Sequence, residues 1–420
     1  MKARLSILIV TLLLILPSRV SGIGPDTIFS DLQKIMERVA DWQINNFTYQ
    51  KTGNLHDYGI DAWTNAVLYA GMLKWVQTTE VPSTYLDWLM KIGEENEWSV
   101  PANFADYPKY QYYHADELCI GQFYLGMYDR YKKDAMLHAV QERVDWIMNH
   151  PADTSMRYSN KQCWTWCDAL FMAPPVYVHL ARITGKTSYL EFMHTHFLQT
   201  YHHLYDWTNH LFFRDDSYFG KQEANGTKVF WGRGNGWVLA GIANILELLP
   251  KDSGLRPFYV QLFVELAAQL SKLQDDQGFW HASLLDPDSY PSPETSSTAL
   301  ITYGLAYGLN HHLLDTSYLP VVRKAWKALT STVDQNGKVG WVQPIGADPK
   351  KVTREMTAVY GVGAFLMAGE YFLLNRSIWL EVIRFFHLLQ RLLLILVQRF
   401  GYVYADIYQQ ISRAVSVHVG

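Results

Sequence analysis

The chain has 420 residues, 49% of them apolar and 18% charged, which is enough to bury a large core and opposite to the composition that leaves a chain disordered. A formal charge of −4, from 36 Lys and Arg against 40 Asp and Glu, gives no basic footprint and argues against a nucleic acid partner. Three cysteines are too few for a disulfide framework. The abundance of rings, 15 Trp, 27 Tyr and 19 Phe, suits a helix-packed core or a cleft in which flat rings stack on a ligand.

The first residues read as an export signal. Lys2 and Arg4 precede an uncharged apolar run from Leu5 to Leu16, and Pro17 to Gly22 offers small residues for cleavage. The run is shorter than the roughly 20 apolar residues a spanning helix needs. Removal of residues 1–22 and a periplasmic or secreted location are expected. There, Cys119, Cys163 and Cys167 allow at most one bridge. No His or Cys near Cys163 and Cys167 completes a metal set, so neither a metal nor another cofactor is expected.

His114-Ala115-Asp116-Glu117 opens the next stretch. An acid at a helix start is either a cap favoured by the macrodipole or a group of the site. Apolar side chains then recur close to the 3.6 period in Leu118–Tyr131, Tyr189–Phe197, Gly236–Leu249, Phe258–Leu273, Ser296–Leu314 and Tyr318–Val333. Only Lys228–Trp231 and Phe212–Phe213 read as short ribbons, so the fold class is all-α. Fresh helix starts at Asp134, Lys186, Arg256 and Thr316 are spaced as helix pairs with two loops would be. Six such hairpins would fit between Asp26 and Asn375. An irregular helical domain fits the same loose spacing.

Three polar, aromatic-bearing loops, Met156–Pro175, Leu211–Trp237 and Asp275–Thr298, are where a site is expected. In the first, Asp168 lies among Trp166, Cys167, Leu170 and Phe171. A carboxyl in apolar surroundings is costly to ionise and can hold a proton near neutrality, as a general acid must. The plainer alternative is a buried Asp bonded to backbone amides. In the second, Arg233 stands between Trp231 and Trp237 and among three glycines, a setting in which a guanidinium can stack and hold a carboxylate. Arg214-Asp215-Asp216 and Pro293-Glu294-Thr295-Ser296-Ser297 add polar groups, or are turn chemistry. No G-x-S-x-G marks a nucleophilic serine.

The motifs HADELCIGQFYLGMYDRY, WTWCDALFMAPP, LFFRDDSYF, VFWGRGNGWVLAGIANIL and GFWHASLLDPDSYPSPETSSTALITYGLAYGL, in this order, resemble the unsaturated rhamnogalacturonyl hydrolases, glycoside hydrolase family 105, related to family 88. GWVQPIG and TAVYGVGAFLMAGEYFLL match too, so the resemblance runs from about Ile28 to Asn375. It implies an (α/α)₆ barrel of six helical hairpins. It also implies an unsaturated oligosaccharide substrate whose non-reducing end is a Δ4,5-unsaturated uronic acid, removed by hydration of the vinyl ether. Asp168 would then be the general acid and base, and Asp116 a second pocket carboxylate. Trp166, Trp231, Arg233 and Trp237 would form the subsite, with Arg233 on the uronate carboxylate. Arg214 stands where many members carry a His, which alters subsite polarity.

The expected division is therefore a signal peptide at 1–22, a catalytic barrel at 23–376 and an apolar tail at 377–420, acting as a monomer or homodimer. Glu381, Arg384, His387 and Arg391 interrupt the tail's apolar run, which fits a packing helix or one lying at a membrane surface better than a spanning one. Two other classes compete: a different (α/α)₆ carbohydrate enzyme, such as a sugar epimerase using His202-His203 or His311-His312 or a polysaccharide lyase, and a non-catalytic glycan-binding protein.

Overall fold

The computed structural model describes residues 25–47, 59–78, 81–100, 112–150, 152–370 and 372, all within the first of two compact units, Met1–Phe372. The expected signal segment 1–22 and tail 377–420 lie outside the described residues.

Two kinds of helix alternate along the chain. Ser188–Leu204 buries Tyr189, Met193, Phe197, Tyr201 and Leu204, one stripe at helical spacing, and so has a single packed face. Arg256–Lys272 is similar, burying Tyr259, Leu262, Phe263, Leu266, Ala267 and Leu270. By contrast, Gly232–Leu248 and Thr295–Asn310 are buried on nearly every residue. Helices apolar all round belong inside. The one-faced helices Pro25–Asn45, Thr84–Glu95, Ala135–Asn149, Ser188–Leu204, Arg256–Lys272 and Leu319–Ser331 therefore form an outer layer. Trp63–Thr78, Ile120–Tyr131, Pro174–Thr184, Gly232–Leu248, Thr295–Asn310 and 359–370 form the inner one. From Trp63–Thr78 to Gly232–Leu248 each inner helix packs on the next inner helix, and all five through Thr295–Asn310 pack on their outer partners.

Closure of the ring rests on two glycines. A Cβ on Gly71 would lie 2.2 Å from the Gly363 carbonyl oxygen, and one on Gly363 would lie 2.3 Å from that of Val67. Only glycine allows so close a backbone approach. The Trp63 ring stacks on Tyr360 across the same seam, with centroids 5.3 Å apart. The described residues thus form a barrel of six helical hairpins, closed first helix to last.

Helix ends follow the local chemistry. Pro174 and Pro175 start Pro174–Thr184, and Gly185 ends it at φ 73°, where proline and glycine are favoured. Glu294 caps Thr295–Asn310 by accepting from the Ser296 and Ser297 amides, so the Pro293–Ser297 motif is turn chemistry after all. Gly232–Leu248 starts four residues before the expected Gly236, inside the Gly-rich motif. The ribbons are shorter than read: Leu211–Phe212 pairs with Tyr205–Asp206, and Lys228 and Trp231 make single bridges to Gln222 and Ser283. Cys119, Cys163 and Cys167 are buried free thiols. No helix among the described residues is long and apolar enough to cross a membrane.

Candidate active site

The inner helices share one orientation: Trp63 meets Tyr360 at their starts, whereas Lys74 meets Glu247 near their ends. The loops entering the inner helices therefore gather at one mouth, and they carry the site. Asp116 lies in the single turn Ala115–Leu118, which breaks at Cys119 before Ile120–Tyr131 begins. His114, not Asp116, holds the cap position, so the carboxylate is not used as a cap. Asp168 precedes the turn Ala169–Met172, and its side chain accepts no capping bond. It is 7% exposed, with the Cys167 thiol 3.8 Å from Oδ1 and Arg214 Nε 3.6 Å from Oδ2. The alternative of an Asp satisfied by backbone amides is not what the geometry gives.

Arg214 is pinned from both ends. Its carbonyl accepts from the Cys167 amide at 2.8 Å, which ties the 211–215 loop to the backbone next to Asp168. Its Nη1 donates to Asp215 Oδ2 at 2.6 Å, and Asp215 is itself held by the Ser217 amide. Its buried Nε has no hydrogen-bond partner among the described residues. Burial works against the guanidinium charge, but Asp168 and Asp215 outweigh it and raise the pKa.

Burial likewise governs the acids. It raises Asp168 to about 6, with Arg214 opposing and Asp116 reinforcing. It raises Asp116 to about 7 against Arg214 and Lys161, and Glu117 to about 8, helped by Asp116 and Asp61. Two or three carboxyls thus retain protons near neutrality, as a proton donor requires. His114 is the opposite case. Burial, then Lys161 and Arg214, lower its pKa to about 3, so the ring is neutral; it lies 4.6 Å from the Trp166 ring, with Nδ1 3.8 Å from Asp116 Oδ2.

The expectation for Arg233 needs correction. Its side chain is 1% exposed and its guanidinium is already committed: Nη1 donates to the Gln343 carbonyl at 2.5 Å and Nη2 to that of Pro344 at 2.9 Å. The Trp231 and Tyr360 rings lie at 4.4 and 5.0 Å. It is a clasp holding the 343–344 loop, and reaches Asp168 only through its field. Trp237 is also a core residue, 1% exposed and packed on Phe171 and Trp63. Trp231, at 2%, bonds Gln343 Oε1. Of the four expected rings and cations, Trp166, 3% exposed, adjoins Asp116 through His114, and the edge of Trp231 borders Asp168 across Gly234. Gly234 serves the site by lacking a side chain: a Cβ there would meet Cys167 Sγ at 3.0 Å and Asp168 Oδ1 at 3.7 Å.

Tyr158, Lys161, His114 and Glu117 also reach the mouth. Lys161 Nζ lies 3.6 Å from the Tyr158 ring centre and 5.4 Å from that of Trp166. Neither residue belongs to a chemical pattern in the sequence, whereas His114 and Glu117 flank Asp116 in the HADEL motif. Among the described residues no group of His, Cys, Asp and Glu is arranged to hold a metal. His202 and His203 lie on an outer helix, and His311 lies at the far end of an inner one, so neither doublet reaches Asp168.

The chain is 37% identical over 321 residues to the unsaturated 3S-rhamnoglycuronyl hydrolase of Formosa agariphila, an alignment covering 73% of this chain and 83% of that protein. Among solved structures, a glycosyl hydrolase family 88 protein from Bacteroides vulgatus is 31% identical, with a TM-score of 0.73 over 82% of this chain and 99% of that one. A polysaccharide lyase structure is 32% identical, with a TM-score of 0.72 over 82% and 97%. The model of Glycosyl Hydrolase Family 88 matches residues 35–373, and the chain belongs to that family.

Proposed function

We propose that this glycoside hydrolase removes a Δ4,5-unsaturated uronic acid from the non-reducing end of lyase-generated oligosaccharides, with the uronate followed by rhamnose as in the Formosa agariphila relative's name. The observation that carries the reading is the pairing of a proton-holding carboxyl, Asp168, with the unpartnered Nε of Arg214 at 3.6 Å. Asp168 gives its proton to C4 of the double bond. Positive charge develops at C5 and the ring oxygen, a water adds at C5, and its proton returns to the Asp168 carboxylate. The resulting hemiketal collapses, the ring opens and the next sugar leaves as an alcohol. Arg214, whose buried Nε faces the acid without a hydrogen-bond partner, takes the carboxylate role that Arg233 cannot fill. Asp116 and neutral His114 supply bonding partners for ring hydroxyls.

The test is the absorbance of the unsaturated uronate on adding the full chain to lyase-generated disaccharides. The band should disappear with wild type, and Asp168→Asn should slow its loss by about 10²–10⁴-fold while leaving binding intact. Activity of that variant within tenfold of wild type would sink the assignment. The similarity to a polysaccharide lyase structure favours a second reading, a lyase, and the same assay separates the two: a lyase creates the band from intact polymer, whereas this hydrolase consumes it. The apolar start Leu5 to Leu16 fits export; a mature N-terminus still beginning at Met1 would exclude cleavage.

A further inference from the structure

We infer that Gln122 is a positioning residue for Asp168, holding the acid in place through the backbone turn that follows it; this rests on the uronide-hydrolase reading above. The need for an outside hold begins in the sequence. Ala169–Met172 is a single helical turn that runs into Pro174 and Pro175. In a continuing helix the carbonyls of Leu170 and Phe171 would accept from the amides of residues 174 and 175, and proline has no N–H to give. The Val176 amide donates to Ala173 at 3.0 Å instead of to Met172. Three consecutive buried residues, Leu170 to Met172, thus present carbonyls without their helical donors, and a buried carbonyl left unpaired is costly.

Gln122, on the inner helix Ile120–Tyr131, supplies two of the missing donors. Its Nε2 donates to the Phe171 carbonyl at 2.8 Å and to that of Met172 at 3.3 Å. The third carbonyl, of Leu170, abuts Gly241, where an added Cβ would lie 2.4 Å from its oxygen. Carbonyls only accept, so the side-chain amide can face this way alone, and its Oε1 accepts from Asn244 Nδ2 at 3.2 Å. Asn244 is fixed in turn by the Tyr303 hydroxyl, which donates to Oδ1 at 2.7 Å. One chain of bonds therefore ties the turn to three inner helices, Ile120–Tyr131, Gly232–Leu248 and Thr295–Asn310.

The hold passes directly to the acid. The Phe171 carbonyl and the Met172 amide belong to one peptide unit: Gln122 grips its oxygen, and its N–H donates to the Asp168 carbonyl at 3.4 Å, beside the Phe171 amide at 3.0 Å. The Asp168 side chain has little else to place it. It accepts no capping bond, and Cys167 Sγ at 3.8 Å and Arg214 Nε at 3.6 Å are both long contacts. On the side away from the turn Gln122 borders a cavity of about 220 Å³, shared with Leu73, Gly126, Pro175 and Asn244. Bonds rather than packing hold the amide there, and another side chain of its size has room.

The experiment measures kcat and KM on a lyase-made unsaturated disaccharide, and amide hydrogen exchange, for the full chain as wild type, Gln122→Leu and Gln122→Glu. Leucine keeps the bulk without the donor. It should lower kcat about 10–10²-fold, the scale of a misplaced catalytic group, with KM within about threefold. It should also speed exchange of the amides of residues 171–173 about tenfold or more, while Arg256–Lys272 exchanges as in wild type. A glutamic acid imitates the amide only while protonated, when its hydroxyl can donate to Phe171; ionised, it sets a charge against two carbonyls. The kcat of Gln122→Glu relative to wild type should therefore rise as pH falls from about 8 to about 5, a rescue that a general loss of stability does not produce. A lowered Tm with kcat of Gln122→Leu within about threefold of wild type, or a flat ratio for Gln122→Glu, would overturn the role. Should the leucine variant not fold, the glutamate ratio decides alone. If wild type leaves the double bond intact, the hydrolase reading fails, and exchange at residues 171–173 still decides for or against the hold of Gln122 on the turn.

Discussion

Arg214 leans toward Asp168 but is tied to Asp215: the carboxylate it bonds at 2.6 Å is its sequence neighbour, and the acid it serves stands a further ångström away at 3.6 Å. A direct short pair would pull the Asp168 pKa down and leave it ionised. With Asp215 taking the close contact, burial remains the larger influence on Asp168 and the acid keeps a proton up to about pH 6.

Replacing Arg214 by Gln removes the charge that opposes burial at both Asp168 and Asp116. Each carboxyl should then titrate higher, so the alkaline limb of kcat, where the acid loses its proton, should move to higher pH. KM for the uronide should rise about tenfold or more with loss of a charge-assisted bond. A pH–rate profile on wild type and variant measures both. An unmoved limb with unchanged KM would remove Arg214 from the site.

Asp116 makes a prediction about stability. Its folded pKa, about 7, exceeds its ordinary 3.8, so the native state holds that proton more tightly than the unfolded chain. The stabilisation is complete below about pH 4 and is lost as pH rises through 7. Asp116→Asn keeps the shape without the buried charge. It should melt close to wild type at pH 4 and several degrees higher at pH 8, a difference worth up to about 4 kcal/mol. Thermal melts at the two pH values read it, and equal shifts at both would contradict the account.

Arg233→Ala should behave as a folding variant. It leaves the Pro344 carbonyl without its donor, takes one of two donors from the Gln343 carbonyl, which the Tyr360 hydroxyl still serves, and opens a void between Trp231 and Tyr360, at a cost of about 2–4 kcal/mol. Chemical denaturation should show the loss, while KM of the folded fraction changes less than in Arg214→Gln. A fully stable variant with a greatly raised KM would return Arg233 to the carboxylate role.

Gly363→Ala places a methyl 2.3 Å from the Val67 carbonyl oxygen. Backbone cannot swing aside as a flexible side chain can, so the two helices must separate, at about 1–3 kcal/mol or more. An alanine at Gly254, with nothing within 4 Å of the added carbon, is the control and should melt near wild type.

Much of this was legible in the residues, unevenly. Outer helices such as Ser188–Leu204 announce themselves, because burying one face forces a 3.6 period such as Tyr189, Met193 and Phe197, although Pro25–Asn45 and Thr84–Glu95 went unread. Trp63–Thr78 carries no such period, since it is apolar on every side, and it escapes a search for amphipathic pattern. Asp168 stood out because a lone carboxyl among Trp, Cys, Leu and Phe is costly wherever the chain folds. Arg233 misled for a related reason: glycines and rings around a cation mark close packing, and whether the guanidinium then faces a ligand or two carbonyls depends on a loop 110 residues further on. Lys161 carried no signal at all. A lysine in a polar loop is ordinary until folding sets it beside Trp166 and across one ring from Arg214.

The Gly71–Gly363 seam also constrains how the molecule is made. The inward face of Trp63–Thr78 emerges early in synthesis, and its partner at 359–370 is almost the last part of the barrel to appear. No local pairing can substitute for a contact spanning nearly the whole domain, and such contacts are paid for in loop entropy before they reward the chain. The first hairpins must wait with an apolar flank uncovered, open to chaperones or to another nascent copy, until residue 363 is free to meet residue 71.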